Sequence, residues 1–67
     1  MLKLADNLRK GRTQRNMTQQ DVANHLGINI RTYQYYEGGR EPDLETLVAI
    51  ADLFDVSLDE LVGRERK

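Results

Sequence analysis

The chain has 67 residues, a formal net charge of −1 and no cysteine. A chain of this length forms one small domain, because no residues remain for a second hydrophobic core or for an enzyme's cleft. Without cysteine it has no disulfide framework and no thiolate metal site, and the absence of a long apolar run argues against a membrane-spanning segment or a signal peptide. We therefore expect a cytoplasmic protein that is not an enzyme and uses no cofactor.

The charges are unevenly distributed along the chain. Residues 1–40 carry seven basic and three acidic side chains, whereas residues 41–67 carry three basic and eight acidic ones. This asymmetry favours a protein whose basic half faces phosphates while its acidic half points away, although two ordinary solvated faces would also produce it.

The first two helices are predicted from apolar spacing and from capping residues. Leu4 and Leu8 recur at the helical period, which predicts helix one from Leu2 to about Thr13, weakened near its end by Gly11. Thr18 is a suitable N-cap for helix two, with the carboxylate of Asp21 reaching back to it. Helix two ends after Leu26, where Gly27 can adopt a left-handed conformation.

Helix three follows at once, because Asn29 is a second N-cap and the helical pattern runs from Ile30 to about Glu37. Two short helices joined by a few residues with a glycine at the bend must cross at a steep angle. The sequence therefore predicts a helix-turn-helix formed by helices two and three within an all-α, compact five-helix domain.

The last two helices are also marked by caps. Residues 38–42 form a loop that precedes Asp43, the N-cap of helix four, and Ser57 begins a capping box for helix five. Gly63 ends the predicted domain, 1–63, and leaves a charged tail, 64–67. Helix four is apolar over a wider arc than one core contact needs, so we expect a homodimer interface formed by Leu44, Val48, Leu58 and Val62.

A helical wheel of helix three places Arg31, Gln34 and Tyr35 on one side and Tyr33 and Tyr36 toward the core. An arginine can bind guanine O6 and N7, and a glutamine amide can bind adenine N6 and N7. Tyr35 suits a base or a phosphate, and Ile30 at the flank of the patch suits a thymine methyl group. We expect these residues to contact bases in double-stranded DNA, although Arg31 and Gln34 would also suit an ordinary solvated face.

Helix starts and flanking cations supply the predicted phosphate contacts. A helix N-terminus offers free amides and a positive dipole end. The predicted contacts are Gln19, Thr32, Arg40, Lys10 and Arg15. Thr32 is included although the wheel turns it toward the core, and Lys10 and Arg15 would equally complement the dipole at the end of helix one.

Other readings of the polar residues are weaker. His25 is the single histidine and has no ligating neighbours, so we predict no metal site. The acidic pairs that begin helices four and five suit capping and the helix dipole, which argues against catalytic carboxylates. We predict no small-molecule ligand.

The motifs together resemble the phage repressor/Cro-type (XRE) helix-turn-helix family over nearly the whole chain. The matching segments are Thr18-Gln19, Ala23, Leu26-Gly27, Tyr36-Glu37-Gly38-Gly39 and Pro42. Ile30 departs from the polar or basic residue that members commonly carry there, and the acidic C-terminal half departs from a basic footprint.

The resemblance implies a five-helix fold with helix three in the major groove, and a sequence-specific transcriptional regulator, a repressor, that binds a palindromic operator as a homodimer. It also implies an ion pair between Arg12 and Glu37, although Arg12 also suits a phosphate contact. The alternative is an antitoxin- or anti-repressor-like module that sequesters a partner protein, but such a module has no reason to keep the polar patch of helix three.

Overall fold

The computed structural model describes residues 3–64, which form five α-helices and no strand. The helices are α1 (Leu4–Gln14), α2 (Gln19–Leu26), α3 (Ile30–Glu37), α4 (Leu44–Phe54) and α5 (Leu58–Val62). The predicted all-α architecture is confirmed. Lys3 has a non-helical conformation, so α1 begins at Leu4; the predicted start at Leu2 lies outside the described residues.

Side-chain caps begin four of the helices, at the residues predicted from the sequence. The hydroxyl of Thr18 accepts from the amide of Asp21 at 3.0 Å, and the Asp21 carboxylate accepts from the Thr18 amide at 2.8 Å. Ser57 caps α5 with the same reciprocal pair of bonds, whereas Asn29 and Asp43 cap α3 and α4 by accepting from the amides of Thr32 and Thr46. Each cap satisfies amide groups that would otherwise lack a partner in the first helical turn, which explains why the helices begin where they do.

The turn between α2 and α3 occupies residues 27–29. Gly27 has a φ of 70°, a left-handed conformation in which its amide can bind back to the end of α2. The amide of Ile28 donates to the carbonyl of Ala23 at 3.1 Å, and the Ile28 side chain packs against the core. The turn is therefore held in place by a backbone hydrogen bond and by the packing of the Ile28 side chain.

All five helices contribute to one core. Its buried members are Leu8, Val22, Ala23, Tyr33, Ile50, Ala51, Phe54 and Leu61. Two of the predicted dimer residues in α4, Leu44 and Val48, stay outside this core and are exposed. The core therefore uses only part of the apolar arc of α4.

Gly11 lies inside α1, and the prediction that it weakens the end of the helix is wrong. The helix continues to Gln14, and a Cβ atom on Gly11 would lie 2.8 Å from two ring carbons of Phe54. Gly11 therefore serves helix packing, because its missing side chain leaves the space that the Phe54 ring fills.

The two ends of the described chain are joined by hydrogen bonds. The amide of Lys3 donates to the carbonyl of Val62 at 2.8 Å, and the side chain of Asn7 donates to the carbonyls of Leu61 and Glu60 at 3.0 and 3.2 Å. These bonds satisfy carbonyls at the end of α5, a helix too short to be stable alone. Of the predicted tail, Arg64 is exposed and residues 65–67 lie outside the described part.

Within residues 3–64 no helix has the length and apolar character needed to cross a bilayer. The same part of the chain contains no cluster of three side chains suited to binding a metal ion.

Candidate nucleic-acid interface

The outer face of α3 carries the polar patch that the sequence predicts. Arg31, Gln34 and Tyr35 are exposed, while Tyr33 and Glu37 are buried on the opposite side. Arg31 has no hydrogen-bond or ion-pair partner among residues 3–64, so its guanidinium is free to bind another molecule. Tyr35 is 50% exposed and is one of the large apolar side chains of residues 3–64 that contact solvent.

The two residues that flank the patch are less accessible. Ile30 is half-buried and packs against the core, so only part of this apolar side chain is accessible to a thymine methyl group. Thr32 is half-buried too, and its hydroxyl donates to Oδ1 of Asn29 at 3.1 Å. Both side chains help to hold the N-terminal turn of α3 in place.

An ion pair between Arg12 of α1 and Glu37 of α3 lies beneath the patch, as the family resemblance implies. Arg12 Nε donates to Glu37 Oε2 at 2.7 Å and Nη2 donates to Oε1 at 3.2 Å. A third guanidinium nitrogen, Nη1, donates to the carbonyl of Met17 at 3.0 Å. A guanidinium with all these partners ties α1, the turn before α2 and α3 together and leaves Arg12 little capacity for a phosphate.

The environment of Glu37 keeps its carboxylate ionised. Burial by itself would raise the pKa of Glu37, but hydrogen bonds from Arg12 and Gln19 outweigh it and lower the pKa below its ordinary value of 4.5. The buried Tyr33 ring lies next to the pair, and burial raises the pKa of its hydroxyl. The site beneath α3 is therefore a charged but internally neutralised pair.

Gln19, a predicted phosphate contact, has partners at both ends of its side-chain amide. Its Nε2 donates to Glu37 Oε1 at 3.1 Å, and its Oε1 accepts from Gln34 Nε2 at 3.1 Å. Gln19 thus connects the buried ion pair to the exposed patch. Nothing in the sequence signals this contact, because Gln19 and Gln34 are fifteen residues apart on different helices.

Arg40 and Lys10 are exposed cations, Arg40 in the loop after α3 and Lys10 on α1. The amide of Arg40 donates to the carbonyl of Tyr35 at 2.9 Å, and its guanidinium lies 5.8 Å from the centre of the Tyr35 ring. Lys10 has no side-chain partner among the described residues. Arg40 is therefore held beside Tyr35 of the patch.

Arg15, another predicted phosphate contact, is engaged within the protein. Its guanidinium donates to the carbonyls of Gly11 and Phe54 and stacks over the Phe54 ring at 4.9 Å. These bonds use two of the five guanidinium N–H groups of Arg15 and hold the side chain against the end of α4. The sequence does not indicate this role, because it depends on where the end of α4 packs.

Arg9 has a contact that the sequence analysis missed. Its guanidinium donates to the backbone carbonyl of Glu37 at 3.4 Å, near the end of α3, and lies 3.8 Å from the carboxylate of Asp6. A cation at a helix C-terminus complements the dipole. Only the packing of α1 on α3 reveals this contact.

The predicted dimer residues lie on α4 and α5. Leu44 is 69% exposed, Val48 41% and Leu58 39%, whereas Val62 is half-buried. Together with Tyr35 of α3, the exposed residues Leu44, Val48 and Leu58 are the large exposed apolar side chains of residues 3–64. Their exposure shows that these side chains do not pack in the core of the domain.

Several transcriptional regulators are similar to this chain in sequence. The chain is 48% identical over 62 residues to an uncharacterised HTH-type transcriptional regulator, YqaE, of Bacillus subtilis, covering 91% of this chain and 53% of that protein. It is 48% identical to the HTH-type transcriptional regulator AnsR of Bacillus subtilis (92% and 54% covered). It is 41% identical to the cryptic phage CTXphi transcriptional repressor RstR of Vibrio cholerae (94% and 57% covered). The chain spans about half the length of these relatives.

A crystal structure of a transcriptional regulator from Listeria innocua superposes with a TM-score of 0.91 at 32% identity, covering 100% of this chain and 64% of that one. The helix-turn-helix family model matches residues 8–61, which include the Arg12–Glu37 pair, both helices of the turn and the core. The chain belongs to the helix-turn-helix family, as its sequence motifs predict.

Proposed function

We propose that the protein is a sequence-specific regulator of transcription, a repressor that binds a palindromic operator in double-stranded DNA as a homodimer. In this proposal α3 enters the major groove, which is wide enough to admit a helix. The observation that carries the proposal is the exposed patch of Arg31, Gln34 and Tyr35, supported from beneath by the Arg12–Glu37 pair. The names of the relatives, which are transcriptional regulators and a phage repressor, support the same function.

Each residue of the patch has a partner in the groove. Arg31 has no hydrogen-bond or ion-pair partner within residues 3–64 and suits guanine O6 and N7. Gln34 suits adenine N6 and N7. Tyr35 reaches a base or a phosphate, and the exposed edge of Ile30 suits a thymine methyl group. We assign Arg40, Lys10 and Thr32 to the phosphates; for Arg40 the support is its position beside the Tyr35 ring.

The proposed homodimer would have the same two-fold symmetry as a palindromic DNA site. A two-fold dimer places two copies of α3 about 34 Å apart, one turn of DNA, which matches a palindromic site. The exposed apolar residues of α4 and α5 supply a surface for it. A module that only sequesters a partner protein would use the same apolar surface but would have no use for the patch.

The test compares Arg31→Ala with Arg40→Ala on the duplex that the wild-type protein selects from a randomised library. Arg31→Ala should cost about 1–3 kcal/mol on that duplex and relax the preference at one base pair, because a bidentate base contact is lost. Arg40→Ala should weaken binding to all duplexes alike and reduce the slope of log affinity against log salt by about one, because one phosphate contact is lost.

The outcomes separate the roles of the two arginines. Equal losses on every sequence for Arg31→Ala would contradict a base contact, and an unchanged salt slope for Arg40→Ala would contradict a phosphate contact. A wild-type protein that selects no duplex would contradict DNA binding itself.

A further inference from the structure

The exposed face of α4 carries apolar and acidic side chains in one line. Leu44, Val48 and Asp52 follow each other at intervals of four residues, so they lie on one side of the helix, and all three are exposed. The buried residues Ile50 and Phe54 lie on the core side. The carboxylate of Asp52 has no hydrogen-bond or ion-pair partner among residues 3–64. A second subunit that covers Leu44 and Val48 would therefore also meet Asp52.

Every charged residue of the segment that contains α4 and α5, residues 41–63, is acidic. This segment has no lysine, arginine or histidine, and its seven carboxylates belong to Glu41, Asp43, Glu45, Asp52, Asp55, Asp59 and Glu60. A two-fold interface places the same surface of each subunit against the other. Whatever the angle between the helices, a charged side chain of α4 or α5 can therefore meet only carboxylates on α4 and α5 of the second subunit.

The proposed homodimer surface thus combines an apolar attraction with an electrostatic repulsion. Burial of Leu44, Val48 and Leu58 favours association, because it removes apolar surface from water. Repulsion between exposed carboxylates acts over about 10 Å at 0.1 M salt and over about 3 Å at 1 M salt. Raising the salt concentration therefore weakens the repulsion while the apolar contact remains.

DNA binding has the opposite dependence on salt, because each phosphate contact releases counterions and is weakened as salt rises. We infer that salt strengthens the homodimer through the α4–α5 surface, so that binding of two subunits to a palindromic operator depends less on salt than the phosphate contacts alone require. This inference rests on the proposed function. Asp52 should contribute most to the effect, because it lies in line with the exposed apolar residues of α4.

The first experiment measures the dimer dissociation constant without DNA, by sedimentation equilibrium in sodium chloride from about 0.05 to about 0.5 M. The wild-type constant should fall about tenfold over this range. Asp52→Asn removes the carboxylate and keeps the size of the side chain. Its dimer should be about tenfold tighter than the wild-type dimer at the lowest salt concentration and should vary less with salt.

Asn24→Lys is the matched control, because it changes the net charge by the same amount on the exposed face of α2. It should leave the salt dependence of the dimer unchanged. A general effect of salt on apolar burial would act equally on all three proteins. Glu45→Gln, which removes the exposed carboxylate next to Leu44, repeats the test on a second residue.

The second experiment compares the duplex that the wild-type protein selects from a randomised library with the same duplex after one half-site is scrambled. One subunit on the remaining half-site gives the slope of log affinity against log salt that the phosphate contacts cause. The overall constant for two subunits on the full site should have a slope shallower than twice that value. Asp52→Asn should bring the slope of the full site closer to twice the value.

Three results would overturn the inference. A dimer that weakens as salt rises would instead indicate a contact between the acidic surface of one subunit and basic residues of another. An equal salt dependence of the wild type, Asp52→Asn and Glu45→Gln would remove the α4–α5 carboxylates as the cause. A protein that stays monomeric at every salt concentration would overturn both the inference and the proposed homodimer, whereas selection of a duplex would still support DNA binding.

Discussion

At the scale of single residues, Glu37 connects three helices. It is the buried charged side chain of residues 3–64, at 6% exposure, and it accepts from Arg12 of α1 and Gln19 of α2. The free energy needed to remove two charges from water is about as large as the free energy gained from their attraction. Such a pair therefore orients its helices more than it stabilises the fold. Here the orientation is that of α3 against α1 and α2.

The stability that Glu37 contributes should depend on pH. Because its pKa is lowered in the folded protein, the contribution is present in full above about pH 4.5 and is lost as the pH falls through the folded value. Glu37→Gln should reduce the free energy of unfolding by about 1.5–3 kcal/mol at pH 7, since the bonds to a charged partner are weakened. Urea unfolding at a series of pH values measures the difference between the two proteins.

That difference should be constant between pH 7 and pH 5 and should shrink at lower pH. Asp21 and Asp43, whose hydrogen bonds to the start of their helices also lower their pKa values, are present in both proteins, so their effect cancels. A difference that stays constant down to pH 3 would show that Glu37 is not the titrating group.

At the scale of elements, α1 and α4 contact each other through Phe54. Its ring fills the space that Gly11 leaves in α1, and the guanidinium of Arg15 stacks on the ring and donates to its backbone carbonyl. Asp55, the next residue, ends α4 in a left-handed conformation with a φ of 57°. The end of α4 is therefore held against α1 by a ring, a cation and a backbone hydrogen bond.

Gly11→Ala should destabilise the protein, contrary to helix propensity. Alanine inside a helix is ordinarily better than glycine by about 0.5–1 kcal/mol. Here the added methyl group would lie 2.8 Å from the Phe54 ring, and overpacking of this kind costs about 1–3 kcal/mol. Thermal unfolding measures the net effect.

A double-mutant cycle supplies the control for this substitution. Phe54→Leu removes the ring atoms that the methyl group would meet, so Gly11→Ala should be neutral or stabilising in that background. Equal effects of Gly11→Ala in both backgrounds would show that the ring is not the cause.

At the scale of the whole molecule, charge and exposed apolar surface are divided between the two halves of the chain. The half with the excess of basic residues contains the patch of α3, while the acidic half contains the exposed residues of α4 and α5. In the proposed complex the acidic residues of this half would repel the phosphates of DNA, which would leave its exposed apolar residues for the proposed second subunit. This division suits a protein that binds DNA on one side and a copy of itself on another.

Leu58→Asp should weaken the homodimer, because it places a charge at the centre of the proposed apolar interface. Sedimentation equilibrium of the wild type and the variant measures the dimer dissociation constant, which should rise at least about tenfold. Asn24→Asp, which adds the same charge on the exposed face of α2, is the matched control and should leave it unchanged. Unaltered dimerisation of Leu58→Asp would exclude this surface.

The sequence by itself determined the local structure. The caps Thr18, Asn29, Asp43 and Ser57, and the left-handed Gly27, act within one helical turn, so their effect can be predicted from neighbouring residues. The exposed patch also follows from the period of one helix. For this reason the helix-turn-helix and the exposed face of α3 were predictable.

Only the tertiary structure decided how polar side chains meet across helices. The hydrogen bonds of Gln19 with Glu37 and Gln34, the bonds of Arg15 to the end of α4 and the space between Gly11 and Phe54 all join residues that are distant in sequence. The residue types at these positions fit several roles equally well, such as a phosphate contact for Gln19 or Arg15. The packing of the helices selects among those roles, because it alone determines which donor lies within reach of which acceptor.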